Sequence, residues 1–298
     1  MGRKPNPLSF FARRTLSILA QTGFRFARKP FKLRPHALGQ SGHRHVITLR
    51  SVLFNLLFYL NLVILLIAAI PTLVLPRRAV LGMAKLWGRT TLWLLRVVCH
   101  IDVEWRGLEK IPPGGIVVAA KHQSVWETFA LIVLFPDPTF ITKRELMWIP
   151  FFGWYAWRGG MIPVDRGAGR TALAGMMVQA RKALAEGRQI IIFPEGTRRP
   201  AGAEPKYKFG VAHLYAQAGV PCVPVALNSG LFWPRRRFLR FPGTVRVEVL
   251  DPIPPGADRD AFFARLQDEI EAATGRLIAE GVRDSGPAGV ASVARIRG

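Results

Sequence analysis

The sequence predicts an α/β domain with a largely parallel central sheet flanked by helices, preceded by an N-terminal membrane-embedded helical segment. Three observations carry this. After residue 100, β-branched runs bounded by Gly, Pro or Asp alternate with amphipathic stretches, the pattern of strands joined through helices. Residues 52–75, VLFNLLFYLNLVILLIAAIPTLVL, hold no charged side chain across twenty-four positions, enough to span a hydrocarbon core of about 30 Å. The charge is also lopsided: the chain of 298 residues has a net charge of +23, and no acid occurs before Asp102. Half the residues are hydrophobic, which excludes a disordered chain and points to an anionic partner or surface.

In chain order, residues 1–50 mix Arg, Lys, Pro, Gly and Phe without sustained periodicity and read as a basic, loosely ordered arm. Residues 51–100 read as membrane-embedded helices. Pro71 can kink the apolar segment, and both flanks are basic, so charge asymmetry gives no vote for a single crossing. The stretch 79–100 spaces Lys85, Arg89 and Arg96 among Leu, Trp and Val, as an interfacial helix does. A helical hairpin embedded from one face is therefore expected over a clean span.

The soluble domain is expected over 101–284. Strands are read at GIVVAA (115–120), TFIT (139–142), QIIIF (189–193), CVPVAL (222–227) and TVRVEVL (244–250), with helices at 171–186 and 209–218. The prolines of GVPCVPVALNSG (219–230) restrict that strand to an edge or end of the sheet. A last helix at 258–281 carries Phe262, Leu266, Ile270, Ala273 and Leu277 at helical spacing, and residues 285–298 read as a disordered tail. Cys99 and Cys222 lie far apart in apolar surroundings and read as buried thiols, with no metal spacing.

Chemistry concentrates in AAKHQSVWETF, residues 119–129. Ser124 followed by Glu127 is a capping box, which explains the glutamate as helix initiation. It leaves His122 unexplained. Were both helical, His122 and Glu127 would point about 140° apart. They can meet if His122 lies in the loop leaving the strand and Glu127 in the first helical turn, at the strand's carboxyl end where open α/β sheets bind ligands. IIIFPEGTRRP (190–200) brings Glu195, Thr197 and Arg198 to the same edge, and GGMIPVDRG (159–167) brings Asp165 and Arg166. The aromatic run from Trp148 to Trp157 reads either as helix core or as a wall for an apolar chain. FWPRRRFLRF (232–241) suits a lipid headgroup interface or an acidic protein; beside a membrane segment, no nucleic-acid role is expected.

These blocks, in this order, resemble the glycerophospholipid acyltransferase family, and the bacterial lysophosphatidic acid acyltransferases within it. The H-x-x-x-x-D block falls on His122 to Glu127, a second ends at Arg166, FPEGTR is matched letter for letter at Phe193–Arg198, and a proline-containing strand falls on VPCVPVAL. ITKRELMWIPFFGW (141–154) and YKFGVAHLYAQAGVP (207–221) are also similar, so the likeness spans roughly residues 100–250. One departure is Glu127, where the family has aspartate.

The resemblance implies transfer of a fatty acyl group from acyl-CoA or acyl carrier protein to the sn-2 hydroxyl of 1-acylglycerol 3-phosphate, or of another lysolipid acceptor such as lyso-ornithine lipid. A non-catalytic lipid-binding relative is the alternative of a different class. It implies His122 as base and Glu127 as its orienting carboxylate, Arg166, Arg198 and Lys143 as phosphate ligands, with Lys208 weaker, and Glu195, Gly196 and Thr197 as substrate-positioning residues. Glu195 is expected to orient Arg198 or a glycerol hydroxyl, and amides at the helix start to serve the oxyanion. No cofactor or metal is expected. The implied location is the cell inner membrane with the catalytic domain cytoplasmic, in contact with anionic lipids.

Overall fold

The computed structural model describes residues 40–165, 167 and 169–285. The expected arm through residue 39 and the tail from 286 lie outside the described residues. Helix α1 covers Gln40–Ala68, so helix starts about ten residues before the expected end of the arm; Thr48 and Ser51 hydroxyls bond back to the carbonyls of Arg44 and Ile47. A 3-10 turn at Ile70–Leu73, containing Pro71, ends it, and α2 follows at Arg77–Cys99. The remaining elements are β1 Ile101–Arg106, β2 Ile116–Ala120, α3 Trp126–Leu134, β3 Pro138–Lys143, α4 Phe152–Arg158, β4 Ile162–Val164, α5 Gly169–Ala185, β5 Gln189–Ile192, α6 Gly210–Ala218, β6 Cys222–Leu227, β7 Gly243–Val249 and α7 Arg259–Asp284.

The seven strands lie in the order β1-β7-β6-β2-β5-β3-β4. β6, β2, β5, β3 and β4 are parallel; β7 runs antiparallel to β6 and parallel to β1. β2 at the centre is buried on both sides, Val118 and Ala120 facing one core and Val117 and Ala119 the other, as the two-residue strand period requires. α2 and α3 cover the first face together with Phe54 of α1; α5, α6 and α7 cover the second. The helix after β2 therefore goes to one face and the helix after its neighbour β5 to the other. This is a topological switch point, which opens a crevice at the carboxyl ends of those two strands.

One expectation changes. β6 is interior, not an edge, although it contains Pro224. The missing N–H costs nothing there because Pro224 faces away from β2, and on that side the β7 ladder has stopped: pairing covers Val225 to Leu227, and Leu250 N–H donates to the Pro224 carbonyl. The 79–100 helix is amphipathic and has two apolar surfaces: Leu86, Trp93 and Val97 are exposed, and Val80, Leu94, Leu95 and Cys99 are buried on protein. Gly88 allows this approach, since a Cβ there would lie 2.7 Å from Val133 and 3.0 Å from the Phe129 carbonyl oxygen on α3. β1, with its acids and Trp105, lacks a clean alternating apolar signature and becomes a strand through its parallel ladder with β7.

α1 is fastened to this body along its length. Phe54 is fully buried against Trp233, Arg240 N–H donates to Ser51 Oγ, and the Arg240 guanidinium lies 4.1 Å from the Trp233 ring centroid. Asn61 bonds Thr90 of α2 at 2.9 Å, and Tyr155 of α4 donates its hydroxyl to the Leu66 carbonyl. Its outward side is apolar and open: Leu56, Tyr59, Ile64 and Ile67 are all exposed. Arg44–Ala68 is long and apolar enough to cross a membrane.

Candidate active site

β2 ends at Ala120, and His122 lies in the loop beyond it, with Glu127 in the first turn of α3. His122 Nδ1 is 2.9 Å from Glu127 Oε1. The same oxygen accepts the Gln123 and Ser124 amides, each at 2.6 Å, while Oε2 accepts the Ser229 hydroxyl at 2.8 Å. Capping and histidine orientation are thus the work of one carboxylate. It is fully buried, and four donors satisfy it. With Nδ1–H given to Glu127, the imidazole presents Nε2 outward as a proton acceptor. Phe193 stacks on the ring at 3.9 Å between centroids and fixes its plane.

Ser124 is fully buried, and its hydroxyl accepts the Trp126 amide, so it is a cap and not a nucleophile. The Gln123 and Ser124 amides are consumed by Glu127, which removes them as the expected oxyanion donors. Gln123 Oε1 accepts Gly230 N–H, joining this loop to the end of β6. Ser229 is the residue the sequence reading missed; its only local signal was its place in the NSG that follows the proline strand.

The FPEGTR turn follows β5. Gly196 has φ +64°, a left-handed conformation that suits glycine and reverses the chain directly after Glu195. Arg199 N–H donates to the His122 carbonyl at 2.8 Å, so this turn lies against the histidine loop. Glu195 does not orient Arg198. Its side chain is fully buried, one oxygen 3.0 Å from Lys121 Nζ and the other accepting the His122 amide at 3.3 Å. Burial pushes the Glu195 carboxyl above the usual range, with Lys121 and that amide working against it. With its side chain wholly enclosed, this carboxylate presents no surface to a glycerol hydroxyl in solvent.

Arg198 is half-buried at the turn, Thr197 is exposed beside it, and Lys143 is exposed where β3 ends. Neither Arg198 nor Lys143 has a carboxylate partner among the described residues. Lys208 is exposed, its amide bonded to Pro194 O. Arg166 lies outside the described residues, directly after β4 and Asp165. Arg235 of the arginine-rich loop donates to the Arg198 carbonyl at 2.8 Å, bringing that loop to the same edge.

The aromatic run divides. Phe152, Tyr155 and Ala156 line an apolar cavity of about 170 Å³ shared with Leu62 and Leu66 of α1 and Trp87 of α2. Trp148, Trp154 and Trp157 face outward, 71%, 56% and 75% exposed, so helix core does not describe them. The chain enters α4 through Phe151 at φ 63° and ψ −58°, a strained γ-turn conformation closed by Phe152 N–H to Pro150 O.

A histidine oriented by a buried carboxylate at the carboxyl end of the central strand, with the Ser124 hydroxyl engaged as a cap, is the arrangement of enzymes that activate a substrate hydroxyl. The sequence profile of the family described as Acyltransferase matches residues 102–228. A 1-acyl-sn-glycerol-3-phosphate acyltransferase of Pseudomonas aeruginosa is 38% identical over 194 residues, 65% of this chain and 76% of that protein. The human 1-acyl-sn-glycerol-3-phosphate acyltransferase alpha is 33% identical over 205 residues, 67% of this chain and 72% of the relative. The crystal structure of the 1-acyl-sn-glycerophosphate (LPA) acyltransferase PlsC from Thermotoga maritima shares the fold, with a TM-score of 0.64 at 24% identity, over 77% of this chain and 96% of that one. This chain belongs to the 1-acyl-sn-glycerol-3-phosphate acyltransferase family.

Proposed function

We propose that the protein moves a fatty acyl group from an acyl thioester to the sn-2 hydroxyl of 1-acylglycerol 3-phosphate, giving phosphatidic acid. The observation that carries the chemistry is the His122–Glu127 contact of 2.9 Å at the carboxyl end of β2; family membership supports the substrates. His122 Nε2 takes the proton of the hydroxyl as its oxygen attacks the thioester carbonyl. Glu127 holds the tautomer and favours the imidazolium that forms. The carbon–sulfur bond then breaks, and the imidazolium returns the proton to the leaving thiolate. No acyl-enzyme is needed, because the donor is already activated.

Arg198, Lys143 and Arg166 are the proposed ligands of the acceptor phosphate. Guanidinium suits this role because its fork can give two hydrogen bonds to one phosphate. Gly196 and Thr197 shape the turn beside it. The apolar cavity between α1, α2 and α4 suits the methylenes of an acyl chain. Acyl-CoA or acyl carrier protein is the donor.

Membrane association is supported by the open apolar side of α1. We further propose that residues 51–100 embed from one face as a hairpin, because α1 is bonded to the catalytic body from Ser51 to Leu66 and has a protein side as well as a lipid side. The proposed location is the inner membrane with residues 101–284 in the cytoplasm and anionic lipids at the basic flanks. The test is transfer of a labelled acyl group by purified protein in lipid, beside His122→Ala, with lyso-ornithine lipid as a second acceptor. Phosphatidate formed by wild type alone supports acceptor and base. Product only from the second acceptor keeps the mechanism and replaces the substrate, and transfer by the variant removes His122 as base.

A further inference from the structure

The chain buries a small ion cluster beside the histidine loop. Lys121 follows a strand whose five residues are all buried, and its own side chain is 3% exposed. An ammonium there cannot stand alone. Nζ lies 3.0 Å from Glu195 Oε1 and 2.6 Å from Glu271 Oε1 of α7. The Tyr207 hydroxyl donates to that same Glu271 oxygen at 2.9 Å, and its ring centroid is 5.7 Å from Nζ. The other oxygen of Glu195 accepts the His122 amide, and Arg199 N–H takes the His122 carbonyl. Both backbone polar groups of His122 are therefore held by the turn after β5, and that turn is held by α7 through Lys121.

Buried ion clusters are a poor route to stability, since apolar side chains of similar volume often serve as well. What this one supplies is direction: three separate parts of the chain meet in one geometry. We infer that Lys121, Glu195 and Glu271 are positioning residues for acyl transfer, a unit by which the C-terminal helix sets the place of the His122 backbone. This rests on His122 acting as the base. Lys121 has a second effect, because it neutralises Glu195, a carboxylate beside the histidine loop, where an anionic acceptor must approach.

The groups facing Glu195 are Lys121, the His122 loop, Glu271 and Tyr207. Of these, Lys121 is the cation paired with it. In Lys121→Met, Glu195 loses the cation that opposes the effect of burial, so its carboxyl is pushed further up and the protonated form is favoured until pH rises. Activity of that variant then falls on the alkaline side, where wild type, with Glu195 paired to Lys121, shows no such fall.

The experiment measures kcat, both KM values, the pH profile and thermal stability of the full chain in lipid. Lys121→Met is expected to lose about 100-fold in kcat with KM values within about 3-fold, and Glu271→Gln about 10-fold in kcat. Glu195→Gln placed in the Lys121→Met background is expected to recover about 10-fold and remove the alkaline fall. Wild-type kcat and pH profile in folded Lys121→Met or Glu271→Gln overturns the inference, and so does a double variant no better than Lys121→Met. If Lys121→Met does not fold, Glu271→Gln decides alone: reduced kcat at unchanged melting temperature supports the unit, and unchanged kcat overturns it. Failure of the underlying reading is separate, since it shows as transfer by His122→Ala.

Discussion

In the loops after β2 and β5 the chain answers its buried charges, whereas along α1 and α4 it leaves large apolar groups unanswered. Glu127 is fully buried and receives four hydrogen bonds from within 102 residues of sequence; Lys121 and Glu195 are equally enclosed. On the other side, Leu56 is 65% exposed, Ile67 62% and Trp157 75%. The first region is organised before any substrate arrives, so catalysis there needs little rearrangement. The second is a surface of the kind that soluble monomers rarely show, and it fits the proposed association with a membrane. The proposed reaction uses both, because it brings a lysolipid acceptor from the apolar side to the His122 loop in the body.

Breaking the first region has the largest expected effect. His122→Ala should lower kcat by about 1,000-fold or more with membrane binding intact, read by labelled acyl transfer and vesicle sedimentation on the same preparation. Glu127→Gln should cost about 100-fold and Glu127→Asp less, since aspartate keeps the charge but shortens the reach. Ser229→Ala should cost about 10-fold by leaving Glu127 Oε2 without its donor; an unchanged rate would show that Ser229 does not help place the carboxylate. The second region is broken by Trp154→Ala with Trp157→Ala, for which partition onto anionic vesicles should fall several-fold while kcat on a detergent-soluble acceptor holds. If kcat fell equally, the two regions would not be separable.

The smallest effect concerns the ion pair that ties the start of α2 to the amino end of β3. Arg77, at the start of α2, makes a two-pronged ion pair with Asp137, which Arg188 also approaches at 3.4 Å. Burial pushes the Asp137 carboxyl up, but Arg77 and Arg188 outweigh it and hold the pKa below the ordinary value. A depressed pKa gives stability that is complete above the unfolded value of about 3.9 and is lost as pH falls through the folded one. Asp137→Asn should therefore lower the melting temperature at pH 7 by about 2–4 °C, the equivalent of roughly 1 kcal/mol for a chain of this size, and by less below pH 4. A shift that did not shrink in acid would rule out the ion pair as its source.

The amino-acid sequence by itself determined what depends on near neighbours. The five strands read from β-branched runs, the buried spacing of Phe262, Leu266, Ile270, Ala273 and Leu277, and the uncharged segment over 52–75 all follow from periodicities of two or 3.6 residues or from length, which need no partner to be read. The contact of His122 with Glu127 was legible for the same reason, five residues being within reach of one loop and one helical turn. Tertiary structure decided the rest. Pro224 stands in an interior strand only because β7 ends opposite it, and the outward tryptophans of α4 were separated from its cavity-lining face only when α1 packed beside it. Ser229 meets Glu127 across 102 residues and Glu271 meets Lys121 across 150, distances over which no local pattern carries information. Those meetings are set by which strands lie side by side at the sheet's carboxyl edge, a property of topology and not of any segment that contributes to it.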